Sequence, residues 1–235
     1  MEKTNPRETY NQMAKIYTEH AAHNAYNAFY ERPAMFSLLG EINGLSILDV
    51  GCGDGTYMSI CLQKGAKEVV GFDISEKMLE LAYQRLGDQG QLHHASLDHN
   101  LTFLPPQHFD RIICPLMMHY VLDWEAAFFK LFQVLKPGGF LLFSTGHPSD
   151  DFRFSSTDNY FETELIKENW TTLNRIVKTY RRSLTETFRS FQSAGFVLDK
   201  LLEPQPIMTL KDKDPETYAK LMRFPSFICF RLHKP

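Results

Sequence analysis

No stretch of this chain approaches the roughly eighteen consecutive apolar residues of a membrane-spanning helix, so no span is expected. Charge of one sign is equally scarce. The 25 Lys and Arg nearly balance the 28 Asp and Glu, leaving a net charge of −3. That balance argues against a nucleic-acid surface as the main partner, while still allowing a local basic patch. Cysteine is sparse: Cys52, Cys61, Cys114 and Cys229 are scattered, each in an apolar or glycine context. They read as reduced, buried thiols of a cytoplasmic protein, not as a disulfide framework. Met1-Glu2-Lys3-Thr4-Asn5-Pro6 has no apolar run behind its charges, so no signal peptide is expected. Internal repeats and low-complexity segments are absent. What is present is 43% apolar and 13% aromatic residues in a chain of 235, enough for the core of one large domain spanning 1–235.

Ile47-Leu48-Asp49-Val50 is an apolar strand that runs into Gly51-Cys52-Gly53-Asp54-Gly55, and Val69-Val70-Gly71-Phe72-Asp73 is a second strand ending in an acid. Together they describe a pocket for an adenosine-bearing cofactor at the carboxyl ends of parallel strands. The glycines permit positive φ and close approach of a ligand to the backbone. A helix starting near Gly55 would aim free N–H groups at a carboxylate or phosphate. Asp73 is placed to accept bonds from two ribose hydroxyls. A dinucleotide fingerprint would need its third glycine where Thr56 stands; the chain reads G-x-G-x-G, with Asp49 before it.

This pattern resembles motif I of the class I S-adenosylmethionine-dependent methyltransferases, and Asp73 matches their ribose-binding acid. The resemblance continues in order along the chain. Phe109-Asp110-Arg111-Ile112-Ile113-Cys114 looks like their fourth strand, His119-Tyr120-Val121 its exit, and Leu135-Lys136-Pro137-Gly138-Gly139-Phe140 the loop before their fifth strand. Within the class the chain is most similar to the bacterial small-molecule group related to quinone and biotin-precursor methylases. The resemblance implies an α/β fold with a doubly wound, mostly parallel seven-stranded sheet, helices on both faces and a terminal antiparallel strand. It implies S-adenosyl-L-methionine as methyl donor and S-adenosyl-L-homocysteine as product. Cofactor contacts are implied for Asp49, Gly51, Cys52, Gly53, Asp73, Ile74, Met78, Ser96, Leu97 and Cys114, and for Tyr10 and Tyr17 on helices that cover the cofactor. Asp49 would organise the loop or meet the cofactor's amino group, Ile74 would pack on the adenine with Ser96 and Leu97 at its edge, and Cys114 would approach the methionine portion through its backbone.

Strand and helix signals alternate, which itself implies a doubly wound sheet with right-handed crossovers. Asn5-Pro6-Arg7-Glu8 starts a helix on which Tyr10, Met13, Ala14, Tyr17 and Ala21 share a face. A second helix starts around Pro33 and stops at Gly40, so 1–40 forms an N-terminal helical cap. Strands are expected at 46–50, 68–73, 91–95, 109–115 and 139–145, with helices at 55–64, from Ser75 to Gly87, and along the Trp124 to Leu135 stripe. Ser183-Leu184-Thr185-Glu186 is a capping box, and strands at 196–202 and 226–233 complete the sheet. Residues 147–165 are too apolar for a free linker and too irregular for an element, and lie above the strand ends; a lid over the substrate is expected there.

The methyl of a sulfonium is already electrophilic, so such an enzyme need only align a nucleophile with it and exclude water. Proximity and orientation can supply ~7–11 kcal/mol of barrier reduction. A base is required only where the acceptor must lose a proton. His119 and His147 each follow a strand whose end forms the pocket, and are candidate bases on the acceptor side; a packed or capping histidine is the alternative for each. His93, His94, Asp98 and His99 superficially resemble a metal cluster, but adjacent strand residues point to opposite faces and no metal is expected. The segment from Arg175 to Arg189, with Lys178, Arg181 and Arg182, could attract an acidic acceptor or an RNA, but a solvated helix face and strand edge is the commoner reading. An N-P-P-Y motif, which would argue for methylation of base amino groups, is replaced by Cys114-Pro115-Leu116-Met117. The expected function is direct in-line methyl transfer to a small-molecule acceptor. A non-catalytic S-adenosylmethionine-binding or partner-activating protein is one alternative; an NAD-dependent oxidoreductase, disfavoured by Thr56, is another. Neither the acceptor nor the oligomeric state is legible.

Overall fold

A computed structural model describes residues 3–235. Asn5 caps the first helix, accepting the Glu8 N–H, and α1 (Pro6–His23) follows. A π-helix over Asn27–Glu31 runs directly into α2 (Arg32–Leu39), so the chain gains a residue per turn just before α2 begins. The alternating part comprises β1 (Ser46–Val50), α3 (Thr56–Gln63), β2 (Glu68–Asp73), α4 (Glu76–Leu86), β3 (Gln91–His94), β4 (Phe109–Cys114), α5 (Trp124–Val134) and β5 (Leu135–Gly146). Then come α6 (Pro148–Asp151), β6 (Glu164–Trp170), β7 (Arg175–Arg181), α7 (Leu184–Ser193), β8 (Val197–Leu202), α8 (Thr209–Lys213), α9 (Pro215–Leu221) and β9 (Phe227–His233).

Seven strands form one sheet in the order β3-β2-β1-β4-β5-β9-β8. β1 pairs in parallel with β2 and β4, and β4 with β5, whereas β9 is antiparallel to both its neighbours. The antiparallel strand is thus last in sequence but sits inside the sheet. β1 is buried throughout, as expected for a parallel strand covered on both faces. One face is covered by α5 and α7, where Phe128, Phe143, Phe191, Phe196 and Phe230 pack together. Truncating any one of these rings would cost about 3–5 kcal/mol. The other face is covered by α2, α3 and α4 around Met35, Met58, Leu79 and Leu86. With both faces closed, the carboxyl ends of β1, β2 and β4 become the accessible rim, which is where ligands bind in this architecture.

Past β5 the structure departs from the expected pattern. The irregular stretch contains α6 and then leads into a separate antiparallel hairpin, β6 with β7, in register from Glu164↔Arg181 to Trp170↔Arg175. Asn174 turns it with φ +49°, a left-handed conformation that Asn tolerates. Trp170 at the tip of β6 stacks on Tyr17 of α1, with ring centroids 6.2 Å apart and planes 16° from parallel. In the basic segment Arg175 and Arg189 are exposed as expected, but Arg181 and Arg182 are not part of a solvated face. Arg181 is 1% exposed, pairs with Glu164 at 2.9 Å, and also donates to the Asn159 and Tyr160 carbonyls, so residues 159–160 wrap around it. Arg182 is buried too, donating to the Val121 and Leu122 carbonyls and lying over the Trp124 ring. Among the described residues no helix is long and apolar enough to cross a membrane.

Candidate active site

Gly51, Gly53 and Gly55 all adopt positive φ, at 71°, 54° and 74°. Gly51 is also required sterically, because a Cβ there would lie 2.4 Å from Met117 Cγ. The loop is tied to β2: the Gly51 and Cys52 N–H groups donate to the Phe72 carbonyl, and the Gly53 N–H donates to Asp73 Oδ2 at 2.9 Å. The Ser75 N–H takes the other oxygen of Asp73 at 2.8 Å. Burial raises the Asp73 carboxyl above its ordinary range, and these N–H donors oppose the rise. At the helix start the first N–H groups are already engaged within the chain, Gly55 N–H by the Cys52 carbonyl and Thr56 N–H by Asp54. Asp54 accepts from both the N–H and the hydroxyl of Thr56, and pairs with Arg85.

A cavity of about 360 Å³ opens between these strand ends and α1. Tyr10, Tyr17, Asp49, Gly51, Cys52, Gly53, Asp73, Ile74, Met78, Ser96 and Leu97 all line it. The other three expected site residues lie outside its lining. Cys114 is fully buried behind Pro115, Leu116 and Met117, which form the wall instead. His119 packs its ring against Tyr120 at 4.5 Å. Burial, with help from the Arg182 charge, pushes its imidazole down to about 3, too weak a base for the role expected of it. His147 is 7% exposed and fully occupied: its Nε2–H donates to Glu203 at 2.8 Å, and its Nδ1 accepts the Ser149 hydroxyl at 2.7 Å, capping α6. It is a capping histidine. His93 stacks on Phe103 while His94 reaches the Ile74 carbonyl, so the two rings diverge.

The side of the cavity away from Asp73 joins Asp49, which the sequence singled out, to Thr18, Glu31 and Arg32, which it did not. Asp49 is 1% exposed, and neither carboxylate oxygen has a hydrogen-bond partner. Burial, followed by the charges of Asp73, Asp54 and Glu31, drives its carboxyl well above the ordinary range. Thr18 Oγ1 and Arg32 Nε also line the cavity, buried and unpartnered. Buried polar atoms are nearly always satisfied, so four empty ones, from three residues around a single cavity, point to a ligand. A carboxylate, a guanidinium and a hydroxyl lining one cavity suit an amino acid zwitterion, the chemistry at the methionine end of S-adenosylmethionine.

Glu31, from the π-helix, also lines the cavity at 1% exposed. It accepts hydroxyl donors from Tyr57 at 2.7 Å and Ser144 at 2.5 Å. Ser144 Oγ in turn accepts the Leu116 N–H at 3.0 Å, and Leu116 holds a φ of +47° in the cavity wall. For a non-glycine residue this is a strained conformation that persists only where surroundings enforce it. The roof is aromatic: the Tyr10 and Tyr120 hydroxyls meet at 2.9 Å, and Tyr10 lies edge-on to Tyr17 at 5.1 Å.

The family model described as a methyltransferase domain matches residues 48–143. A solved S-adenosylmethionine-dependent methyltransferase from Mesorhizobium loti is 30% identical; the likeness covers 86% of this chain and 96% of that one, with a TM-score of 0.76. An uncharacterized protein of Haemophilus influenzae is 31% identical over 199 residues, 76% of this chain and 77% of its own. The ubiquinone biosynthesis O-methyltransferase of Leptothrix cholodnii is 32% identical over 110 residues, a match spanning 46% of each chain. The chain belongs to the S-adenosylmethionine-dependent methyltransferases. Its methyl donor is S-adenosylmethionine, and S-adenosylhomocysteine is the product.

Proposed function

We propose that the chain methylates a small-molecule acceptor within this cavity, the donor's methionine portion lying between Asp49 and Arg32. The observation that carries the reading is the set of unpartnered atoms around one cavity: both oxygens of Asp49, Thr18 Oγ1 and Arg32 Nε. Asp49 takes the ammonium, Arg32 and Thr18 take the carboxylate, and Asp73 takes the ribose hydroxyls. Ile74 and Met78 flank the adenine, with Ser96 and Leu97 at its edge. The donor supplies an electrophilic methyl; the chain's work is to bind, orient and exclude water. Tyr10, Tyr17 and Tyr120 exclude water from above, and the region from α6 through the β6–β7 hairpin acts as the lid, resting on α1 through Trp170.

The relative named for ubiquinone biosynthesis supports an oxygen nucleophile on a small molecule. The near balance of charge disfavours nucleic acid, and four buried free thiols agree with a cytoplasmic location. With His119 and His147 outside the cavity, alignment does the work and neither serves as base. The test is incubation with labelled S-adenosylmethionine and a metabolite extract, with and without ribonuclease. A labelled, ribonuclease-resistant small product is expected. Cofactor binding without transfer would overturn the reading.

A further inference from the structure

Resting on the reading that Ser96 and Leu97 meet the edge of the adenine, we propose that Lys130 is a positioning residue for that edge and sets the preference for adenine over a 6-oxo base. Lys130 belongs to α5 and is not among the residues that line the cavity. It acts on a stretch of chain that cannot fix itself. Among the described residues the crossover from β3 to β4 contains no helix, and residues 95–108 join the two strands through turns. A helix satisfies most of its own carbonyls, whereas a string of turns must find partners elsewhere. The start of the stretch is held by the sheet, where the Ala95 N–H donates to the Asp73 carbonyl at 3.0 Å. Beyond it Ser96 to His99 form a turn. The His99 N–H closes it on the Ser96 carbonyl at 3.0 Å, and the Asp98 N–H braces it on Ser96 Oγ at 3.2 Å. Ala95, Ser96, Leu97 and Asp98 all line the cavity.

Two carbonyls of this turn converge on Lys130. Its Nζ donates to the Leu97 carbonyl at 2.5 Å and to the His99 carbonyl at 3.1 Å, 33 and 31 residues away along the chain. An ammonium has three donors and no acceptor, so it holds side by side two oxygens that would otherwise repel. α5 gives it a fixed base: Ala127, Phe128, Leu131 and Val134 are buried in the core that also takes Leu97, Leu101 and Leu104. The turn is therefore pinned twice, by the Leu97 side chain in the core and by its carbonyls on a cation. What this fixes is the direction of the polar groups at the cavity edge. The Asp98 carboxylate there accepts only, and the 6-amino group of adenine donates where a 6-oxo group does not. Without Lys130 the turn has other arrangements, the fraction ready to receive the base falls, and apparent affinity falls by that fraction.

Calorimetric titration of the wild-type protein, Lys130→Met and Lys130→Gln with S-adenosylhomocysteine and S-inosylhomocysteine tests this, with a thermal melt of each protein. The wild type is expected to bind the adenine ligand roughly fivefold more tightly, the scale of one hydrogen bond. Lys130→Met keeps the apolar stem and loses the donors. It should weaken S-adenosylhomocysteine roughly fivefold and S-inosylhomocysteine by less, bringing their ratio close to one. Lys130→Gln keeps a donor on a shorter side chain; it should fall between the two, and it carries the same comparison if the melt shows Lys130→Met to be unfolded. Equal weakening of both ligands overturns the proposal, because it marks Lys130 as a general prop. Unchanged affinity in Lys130→Met, or a wild-type protein without the preference, overturns it as well. Each of these outcomes leaves the cofactor reading standing, whereas a wild-type protein that binds neither ligand overturns both.

Discussion

The two ends of the cavity are built on opposite principles. At the Asp73 end the polar groups are already satisfied within the chain: the acid accepts the Gly53 and Ser75 N–H groups, and the glycine loop is bonded to the Phe72 carbonyl. At the Asp49 end buried polar atoms are left open: both oxygens of Asp49, Thr18 Oγ1 and Arg32 Nε lack partners. The first end is rigid before anything binds, and ligand bonds there are additions. The second end carries an unmet desolvation cost that a ligand relieves, so binding and stability are coupled there.

The sharpest way to break this contrast is Asp49→Asn. It is expected to lower S-adenosylmethionine affinity by roughly 10- to 100-fold, the scale of a lost charge-assisted hydrogen bond, yet to raise the melting temperature of the ligand-free protein because a buried charge is gone. Calorimetry and a thermal melt on the same sample read both; unchanged affinity with a lower melting temperature would show that Asp49 is structural. Gly51→Ala addresses the rigid end. Its Cβ meets Met117 at a positive φ, so urea unfolding should show a loss of about 1–3 kcal/mol. The two ends separate with a truncated ligand: Arg32→Met should weaken S-adenosylmethionine about tenfold and leave 5′-methylthioadenosine untouched, whereas Asp73→Ala should weaken both. If Arg32→Met weakens both equally, the division is wrong.

A smaller effect concerns pH. The folded-state pKa of Asp49 lies above its unfolded value, so the folded ligand-free protein holds that proton more tightly. The stability this provides is fully present below the unfolded pKa and is lost as pH rises through the folded one. The stability advantage of Asp49→Asn over wild type should therefore be larger at about pH 8 than at about pH 5, and thermal melts at the two values check it. The smallest effect is expected from the histidines. His119→Ala and His147→Ala should each keep turnover within about threefold of wild type, a surface-like change in rate for groups outside the cavity. A large fall in kcat for either would restore a base.

Much of the rigid end was legible in the sequence, because its geometry is local. The glycines, Asp73, Ile74, Ser96 and Leu97, and at the other end Asp49, follow directly from strands that run into loops, and a strand end on a parallel sheet has a known direction. The rest of the open end was not. Glu31 and Arg32 stand where a π-helix joins α2, and the added residue shifts the phase of any 3.6-residue wheel drawn from α1 or back from Pro33. Thr18 lies beside the apolar face that the wheel identified and meets the cavity only once α1 has docked. His119 and His147 were misplaced for a related reason: following a strand fixes how near a side chain lies, not where it points. The β6–β7 hairpin was hidden by charged and polar residues in Glu164-Leu165-Ile166-Lys167-Glu168-Asn169-Trp170, although Asn174 between two extended runs was a usable turn signal.

The contact between Gly51 and Met117 has a consequence for sequence variation. A methyl group at 51 and the thioether side chain at 117 would occupy the same space. The two positions, distant along the chain, form one steric unit, so relatives that carry a side chain at the first are expected to carry a smaller one at the second. Engineering of the cavity wall through Met117 would therefore reach the donor loop as well, and an added volume there should be drawn from the pair and not from either position alone.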